Sequence, residues 1–331
     1  MIIKSIKLIN FRSHDEYELD CKNNTTLILG DNGTGKTSVL EAIYIAMRGK
    51  SFRSVDCDIL KYNRDFYKIE LNYNSGKRII VTFDGKEKIF TNIDKKTKRL
   101  IKKDKYPIVL FLPSDLNLIN TTPGKRRDYF DQFLGQLDEQ YYNFLSKYKK
   151  ALKQRNQLLK KKSLTKQEVF PWNILLVKYG IEISQLRISF IDYINKYLTE
   201  TYKSIADNQD QIEINLNTQI KGLNENQYLK KMEENFNRDI RLGYTEFGVH
   251  RDDFIFQFNK KIADGSASRG EIRSIILALK FIEVKIINER LKIQPIVLLD
   301  DVFSELDGKR QKYLVKKFKN HQVIITSVKG I

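Results

Sequence analysis

The sequence predicts an α/β protein built around a phosphate-binding loop, with an α-helical block inserted into the fold. The run GDNGTGKT (30–37) follows the apolar stretch TLIL and opens a helix. The apolar run PIVLL (295–299) ends in two aspartates. Between them, the stretch 125–240 contains proline only at Pro171, and its apolar residues recur at helical spacing. The chain is therefore predicted to be β-rich, then α-helical, then α/β.

Periodicity predicts the individual elements in the same order. Before residue 118, apolar or alternating runs predict strands with one helix, TSVLEAIYIAM, between them. Helical spacing then predicts one long helix over 126–162 and a second over 173–198. From about residue 245, strands such as DFIFQFN and QVIITS alternate with helices.

The loop GDNGTGKT matches the pattern G-x-x-x-x-G-K-[ST], and its place between a strand and a helix supports the match. Glycines let backbone N–H groups close around phosphate oxygens, and the helix N-terminus adds its positive dipole end. Lys36 is predicted to contact the β- and γ-phosphates of ATP, and Thr37 to bind Mg²⁺. The predicted nucleotide-binding residues of the loop are Gly30, Asp31, Asn32, Gly33, Thr34, Gly35, Lys36 and Thr37.

A phosphate-binding loop of this kind needs an acidic partner for the metal at the end of a neighbouring strand. Asp115 follows the run PIVLFLPS, but Pro113 interrupts that run and the acid stands alone. The run PIVLLDD is more regular, so we predict that Asp300 binds Mg²⁺ and that Asp301 orients and deprotonates the attacking water. Lys36 and Asp301 are thus the predicted catalytic residues.

The separation of Lys36 from Asp300 distinguishes classes of phosphate-binding proteins. Small GTPases and kinase-like proteins place the metal acid much nearer, whereas a wide gap that holds a helical insertion is typical of an ABC-type (SMC-like) ATPase head. We therefore predict an ATPase lobe formed by 1–118 and 245–331, with an inserted α-helical lobe formed by 119–244.

A serine–glycine loop before a helix precedes the metal-binding strand in that class, and Ser268 and Gly270 occupy this place. Ser268, followed three residues later by Glu271 and then by an apolar stripe, also predicts a capping box. If Glu271 satisfies the helix N-terminus, the Ser268 hydroxyl is available to an anion.

The composition favours a polyanionic partner. Lys and Arg number 59 against 41 Asp and Glu, a net charge of +18, which suggests nucleic acid, although a bias toward lysine alone also raises the charge. Cys21 and Cys57 form no CxxC pair and indicate neither a disulfide framework nor a zinc site. Neither a signal peptide nor an apolar run long enough to cross a bilayer is evident, so we expect a cytoplasmic protein without a membrane partner.

Two basic clusters are candidate DNA-contacting surfaces. Residues 147–162 hold eight Lys or Arg and no acid, and residues 86–105, predicted as a hairpin or loop, hold nine against three acids. Such a surface gives affinity without sequence preference and with strong salt dependence. A solvated helix face is the alternative explanation, and the sequence does not decide which cluster touches DNA.

Stretches along nearly the whole chain resemble the RecF family of bacterial recombination-repair proteins, within the SMC/ABC-like ATPases. A general ABC head would share only the loop, the serine–glycine segment and the metal motif, whereas here the connecting stretches match as well. The stretches that carry the resemblance are NFRSHDEYELD, GDNGTGKTSVLEAIYIAMRGKSFR, LPSDLNLINTTPGKRRDYFD, LKQRNQLLK, GYTEFGVHRDDF, SASRGEIRSIILALK and VLLDDVFSELD.

The resemblance implies a protein that binds ATP and Mg²⁺, dimerises head to head around ATP and hydrolyses it slowly as a switch. It implies binding to single-stranded DNA, double-stranded DNA and junctions, and action with RecO and RecR to place RecA at single-strand gaps, in support of replication restart and the SOS response. It also implies that Arg12 lies near the nucleotide, that Ser268 and Gly270 touch the γ-phosphate held by a partner subunit, and that residues 304–307 cross the dimer interface.

Two departures from the family pattern occur. Ala267 and Glu271 stand where the family signature usually has leucine and glutamine, and Thr326 or Ser327 stands where many ABC heads keep a histidine near the γ-phosphate. Other interpretations remain open: a different SMC/ABC-type ATPase, including a transporter subunit; a metabolic kinase; or a basic DNA-binding protein whose phosphate-binding loop is idle.

Overall fold

The computed structural model describes residues 2–92, 95–100, 104–161 and 163–328. The chain divides into two compact units, the first made of Met1–Leu116 with Glu283–Ile331 and the second of Asn117–Ile282. Parts of both basic clusters, namely 93–94, 101–103 and Lys162, lie outside the described residues, as do 329–331 of the predicted ATPase lobe.

An antiparallel sheet forms one layer of the first unit, with the strand order β2-β1-β4-β5-β6-β7. Along β4, every second residue is buried, which is the alternation that predicts this strand from sequence. The last two strands form a hairpin within the basic stretch 86–105. The strands are β1 (Ile3–Phe11), β2 (His14–Asp20), β4 (Tyr67–Tyr73), β5 (Arg78–Phe83), β6 (Lys88–Asn92) and β7 (Lys95–Thr97).

A four-stranded parallel sheet, in the order β3-β13-β12-β8, forms the second layer of this unit. Every residue of β12 and β13 is buried, as expected of central strands covered on both faces. The carboxyl ends of β3 and β12 flank that of β13, so this edge of the sheet gathers the residues that follow these strands. The strands are β3 (Thr25–Leu29), β8 (Ile108–Phe111), β12 (Ile296–Asp300) and β13 (Val323–Ser327).

Helix α1 (Lys36–Arg48) contacts strands of both sheets of the first unit, and nearly all of its residues are buried. It ends at Gly49, whose positive φ of 85° and N–H bond to the carbonyl of Ile45 form a left-handed cap. Together with apolar residues of the two sheets, α1 forms the core of this unit. Helix α9 (Gly308–Phe318), whose N-cap Asp307 accepts from the N–H of Arg310, also belongs to the first unit.

The second unit is mainly helical. The long helix expected over 126–162 is wrong as a single element, because the chain breaks at Asp138, whose carboxylate accepts from the N–H groups of Gln140 and Tyr141 and starts a new helix. The helices are α2 (Pro123–Leu137), α3 (Glu139–Leu158), α4 (Lys166–Ala206), α5 (Glu225–Glu234), α6 (Phe236–Leu242), the four-residue α7 (Ala263–Ser266) and α8 (Arg269–Leu291), which continues into the first unit.

A small antiparallel sheet, in the order β11-β10-β9, completes the second unit. Strand β9 (Ile212–Asn217) lies in the block that the sequence assigns to helices, and it pairs along its length with β10 (Asp253–Phe258), which is followed by β11 (Lys261–Ile262). Because of this pairing, residues 245–282 group with the helical unit, whereas the sequence-based division places them in the ATPase lobe. Among the described residues, no helix has the length and apolar character that crossing a bilayer demands.

Candidate nucleotide-binding site

The loop Gly30–Thr37 joins β3 to α1 at the carboxyl edge of the parallel sheet. Gly33 and Gly35 have φ angles of 86° and 89°, in the left-handed region that other residues rarely adopt. A Cβ atom on Gly35 would also lie 2.5 Å from Nε2 of His14 and 2.6 Å from Oγ of Ser13. The close approach and the positive φ both require glycine at position 35.

Only 6% of the Lys36 side chain is exposed to solvent. Its Nζ donates hydrogen bonds to the carbonyl oxygens of Gly30 (2.7 Å) and Asp31 (3.0 Å). The same ammonium lies 3.9 Å from Oδ2 of Asp301. The positive charge is thus held at the loop, where the phosphates of a nucleotide would be cradled.

Asp300, the aspartate predicted to bind Mg²⁺, contacts the phosphate-binding loop. The Thr37 hydroxyl donates to Oδ1 and Oδ2 of Asp300, at 2.8 and 3.0 Å. Thr326, on the intervening strand β13, donates its hydroxyl to Oδ1 of the same carboxylate at 2.8 Å. A hydroxyl and a carboxylate side by side are ligands of the kind that Mg²⁺ takes together with phosphate and water, so these residues fit that ion.

Asp301 follows β12 in a left-handed conformation, with a φ of 49°. Its backbone N–H bonds to both the carbonyl oxygen (3.1 Å) and the hydroxyl (3.0 Å) of Thr326. Its Oδ1 is buried and has no hydrogen-bond partner within the described part of the chain. The other oxygen, Oδ2, is the one that lies 3.9 Å from the Lys36 ammonium. The water-activating role of Asp301 stays a prediction from the sequence.

The alternative metal acid, Asp115, has a different environment. Its Oδ2 accepts from the backbone N–H of Leu112 at 3.0 Å, so the carboxylate caps the turn that follows β8. Its carboxylate therefore serves the backbone, and of the two candidates it is Asp300 that the Thr37 hydroxyl contacts.

An open cleft of about 540 Å³ lies over the loop, within the first unit. It brings together the predicted residues Arg12, Lys36 and Thr37 with Asp301, whose exposure is 27%. Polar and charged side chains dominate the lining, which suits a polyanionic ligand better than an apolar one. The lining residues are Arg12, Ser13, Asn32, Gly33, Gly35, Lys36, Thr37, Ser38, Arg53, Asp58, Leu60 and Asp301.

Glu41 and Arg53 belong to this site and were not predicted from the sequence. Arg12 donates through Nε and Nη2 to the two carboxylate oxygens of Glu41, and Arg53 donates to Oε2 through Nε and Nη2. Burial raises the pKa of Glu41, but hydrogen bonds from Arg12, Arg53 and Ser51 outweigh that effect and hold the pKa at about 2. The signal in the sequence is one acidic residue within the otherwise apolar run VLEAIYIAM, followed by the family-like stretch RGKSFR.

Ser268 and Gly270 belong to the second unit, at the start of α8. The predicted capping box is confirmed: the Glu271 carboxylate accepts from the N–H of Ser268 at 2.6 Å, and the Ser268 hydroxyl accepts from the N–H of Glu271 at 3.3 Å. Glu271 thus turns back to the helix end, and the hydroxyl of Ser268 keeps its own hydrogen for donation.

The stretch with His250 and Arg251, to which the sequence assigns no role, has a structural one. Nε2 of His250 lies 2.9 Å from the carbonyl oxygen of Thr245, and Nδ1 lies 2.8 Å from the hydroxyl of Tyr148. Because a carbonyl only accepts, Nε2 carries the hydrogen and the tyrosine donates to Nδ1. Burial lowers the pKa of His250 to about 4, so the ring is neutral.

Two buried arginines connect several family-like stretches inside the second unit. Arg187 bonds to Asp131 and Asp252, each at 2.7 Å. Arg155 bonds to Asp239 at 2.7 Å and is fully buried. Arg155 therefore cannot contact DNA, and the 147–162 cluster exposes the remaining described lysines: Lys147, Lys149, Lys150, Lys153, Lys160 and Lys161.

Comparison with known proteins finds similar chains along nearly the whole sequence. The chain matches the family model of an AAA ATPase domain over residues 1–327. The DNA replication and repair protein RecF of Clostridium perfringens (strain 13) is 35% identical over 334 residues, which cover 98% of this chain and 92% of that protein. The protein of the same name from Staphylococcus carnosus is 33% identical over 352 residues, covering 100% and 95%.

Solved structures of RecF proteins are also similar to this chain. The recombination mediator protein RecF-ATP of the RecFOR pathway superposes with a TM-score of 0.89 at 26% identity, covering 99% of this chain and 92% of that one. The corresponding RecF-ATPrS structure has a TM-score of 0.89 at 27% identity, with the same coverage. The α/β ATPase fold predicted from the sequence is confirmed by these similarities.

Proposed function

Because this chain belongs to the RecF family of DNA replication and repair proteins, we propose that it is an ATP-gated DNA-binding protein of recombinational repair and replication restart. The contact between Thr37 and Asp300 carries the proposal, since it joins the phosphate-binding loop to the metal acid across the sheet. An ATPase with these parts can use nucleotide binding as a switch.

The nucleotide chemistry follows from the side chains of the cleft. Backbone N–H groups of the loop and the Lys36 ammonium bind the phosphates, and Asp301 accepts a proton from the attacking water. Thr37 and Asp300 would hold Mg²⁺, which would neutralise charge on the phosphates. The slow turnover implied by the family resemblance suits a switch, because the bound state then persists long enough to act.

The switch in this proposal is a homodimer that closes on ATP. Ser268 and Gly270 of one subunit contact the γ-phosphate bound by the loop of the other, so ATP favours the dimer and hydrolysis releases it. The hydrogen-bonded position of Glu271 supports this assignment, because the carboxylate serves the cap of its own helix and leaves the serine hydroxyl able to donate.

The partners follow from family membership and charge. The exposed lysines in the described parts of 147–162 and 86–105 supply a surface for phosphate contacts on single-stranded DNA, double-stranded DNA or junctions. We assign the chain a role with RecO and RecR in placing RecA at single-strand gaps, and hence in the SOS response. The RecFOR pathway named for the similar solved structures supports that assignment.

Mass measurement by sedimentation with and without ATP tests the dimer. We expect Lys36→Ala, which removes the phosphate-binding charge, and Ser268→Arg, which blocks the contact in trans, to remain monomeric with ATP. Ser266→Arg is the matched control, because Ser266 is exposed, lies two residues earlier and donates its hydroxyl to the carbonyl of Ile262 in its own turn. Full dimerisation of Ser268→Arg would overturn the contact in trans.

DNA binding with and without ATP at two salt concentrations separates the remaining alternatives. We expect binding that strengthens with ATP and weakens steeply with salt. Binding that ignores ATP would favour a DNA-binding protein with an idle loop. A transporter subunit or a metabolic kinase is disfavoured by the family membership.

A further inference from the structure

Glu41 is a buried carboxylate that joins two arginines at the rim of the nucleotide cleft. Its side chain is fully buried, whereas Arg12 and Arg53 are 21% and 37% exposed. Both arginines line the cleft with the phosphate-binding loop, and Glu41 lies on α1, the helix that the loop opens. The carboxylate is therefore behind the two guanidinium groups, on the side away from solvent.

The segment after α1 closes on the same carboxylate. The hydroxyls of Ser51 and Ser54 donate to Oε1 of Glu41, at 2.5 and 3.1 Å. Ser54 also accepts from Nη2 of Arg12, and Nη1 of Arg12 donates to the carbonyl of Asp58 at 2.7 Å. One carboxylate thus organises the chain segment from residue 51 to residue 58 beside the cleft.

The charges of this cluster do not balance. Glu41 and the two arginines by themselves carry a net charge of one positive unit. The carboxylates of Asp58 and Asp301 line the same cleft. A single bidentate arginine would satisfy the carboxylate if its only need were a buried ion pair. The second arginine is an excess cation that faces a cleft already shaped for an anion.

Arg53 is the arginine with donors to spare. Its Nε and Nη2 bond to Glu41, and Nη2 also lies 3.3 Å from Oγ of Ser38, a cleft residue. Within the described part of the chain, its Nη1 group makes no hydrogen bond, which leaves two N–H donors for a ligand. Arg12, in contrast, uses donors on all three of its nitrogens.

We propose that Glu41 is a positioning residue that clamps Arg12 and Arg53 at the cleft, so that Arg53 presents Nη1 to the phosphates of the bound nucleotide. The inference rests on the proposed nucleotide-binding role of the loop. It adds an anion contact from the segment after α1, and it ties the order of residues 51–58 to nucleotide binding.

Removal of the Glu41 charge separates positioning from simple electrostatics. In Glu41→Gln the local positive charge rises, so a purely electrostatic role would strengthen ATP binding. A positioning role predicts the reverse, because a neutral amide cannot hold two guanidinium groups by charge-assisted bonds. We expect the Kd for ATP to rise about tenfold, as for loss of one charge-assisted hydrogen bond.

Glu70→Gln is the matched control. Glu70 also bridges two cations, Lys68 at 3.0 Å and Arg78 at 2.9 Å, but it is on β4 and does not line the cleft. We expect this variant to bind ATP as the parent protein does. Titration of each purified full-length chain with ATP in Mg²⁺, without DNA, supplies the Kd values, and near-ultraviolet circular dichroism checks folding.

A double-mutant cycle with Arg53→Ala identifies the route of the effect. If Glu41 acts through Arg53, the double variant raises the Kd by less than the product of the two separate fold-changes. A fold-change equal to that product, or an ATP affinity in Glu41→Gln that is unchanged or stronger, overturns the inference. If Glu41→Gln does not fold, Arg53→Ala alone decides, because it keeps the buried Arg12–Glu41 pair, and binding equal to that of the parent overturns the inference.

The parent protein and Lys36→Ala distinguish this failure from failure of the proposed function. If the parent binds ATP and Lys36→Ala does not, the loop is active and only the role of Glu41 is in question. If both bind ATP equally, or neither binds, the nucleotide site itself is wrong and the role of Glu41 falls with it.

Discussion

Thr37 and Asp300 are 263 positions apart in the chain and are joined by a hydrogen bond of 2.8 Å. The strand order of the parallel sheet makes this contact possible, because β3 and β12 both border β13. The contact defines where the metal-binding and loop residues meet, and each part of it can be tested separately.

Replacement of Asp300 by asparagine should weaken Mg²⁺-dependent ATP binding. An amide has no negative charge for the ion, so we expect the Kd for ATP in Mg²⁺ to rise at least about tenfold, with little change in EDTA. Calorimetric titration under both conditions measures this. Asp115→Asn is the control, and loss of the Mg²⁺ effect in that variant would instead identify Asp115 as the metal acid.

Replacement of Asp301 by asparagine should separate binding from hydrolysis. Asparagine keeps the shape but cannot take a proton from water, so we expect hydrolysis to fall by about 10²- to 10⁴-fold. The Kd for ATP should change little. Asp301 lies 3.9 Å from the Lys36 ammonium, beyond hydrogen-bond distance, so its replacement leaves the hydrogen bonds that hold Lys36 in place. Phosphate-release assays at saturating ATP give the rate, and hydrolysis at the parent rate would remove Asp301 from the mechanism.

Two alanine substitutions in the loop should differ in severity. Gly33 has a positive φ with nothing within 4 Å of an added Cβ, so Gly33→Ala should cost about 1–2 kcal/mol of stability through backbone strain alone. Gly35→Ala adds the clash with Ser13 and His14, and should be more damaging to both stability and ATP affinity. Urea unfolding and ATP titration compare the pair, and equal effects would show that the close approach is unimportant.

The neutral His250 should make stability depend on pH in a defined window. The pKa of the ring is near the usual histidine value of 6.5 in the unfolded chain, and burial lowers it to about 4 in the folded one. Between these values the unfolded chain binds the extra proton, so the free energy of unfolding rises with pH from about 4 to 6.5, by up to about 3 kcal/mol.

Urea unfolding of the parent and of His250→Gln across that window measures the effect. The glutamine side chain does not titrate, so the variant should lack the contribution of one proton while it keeps the slope from other groups. Parallel pH profiles for the two proteins would show that His250 is not the source.

The sequence predicts the parts of the first unit that local patterns specify. The runs YKIELNY, RIIVTF and GKRQKYLVKKF form β4, β5 and α9, because alternation and amphipathic spacing are properties of short segments. The phosphate-binding loop follows β3 and Asp300 is the last residue of the buried strand β12, so short sequence patterns locate both. Which strands are neighbours, and hence the Thr37–Asp300 contact, depends on sheet topology and could only be inferred from the class of fold.

The features that sequence analysis missed depend on competition between local and distant interactions. Helical spacing continues across Asp138, but the carboxylate bonds to the next turn and starts a new helix. Strand β9 forms through pairing with β10. The paired residues lie 36 or more positions apart in the chain, so no local pattern contains this pairing. From the sequence alone, a charged residue such as Glu41 is expected at the surface. It is buried because Arg12 and Arg53 neutralise its charge.

Within the second unit, family-like stretches contribute Asp131, Arg155 and Asp252 to buried ion pairs. In a genetic screen, loss-of-function alleles at these positions would therefore report on protein abundance rather than on contact with DNA. Steady-state protein levels should be measured before any such allele is assigned to a binding surface. Alleles at the exposed lysines, by contrast, should leave protein abundance unchanged and alter only DNA binding.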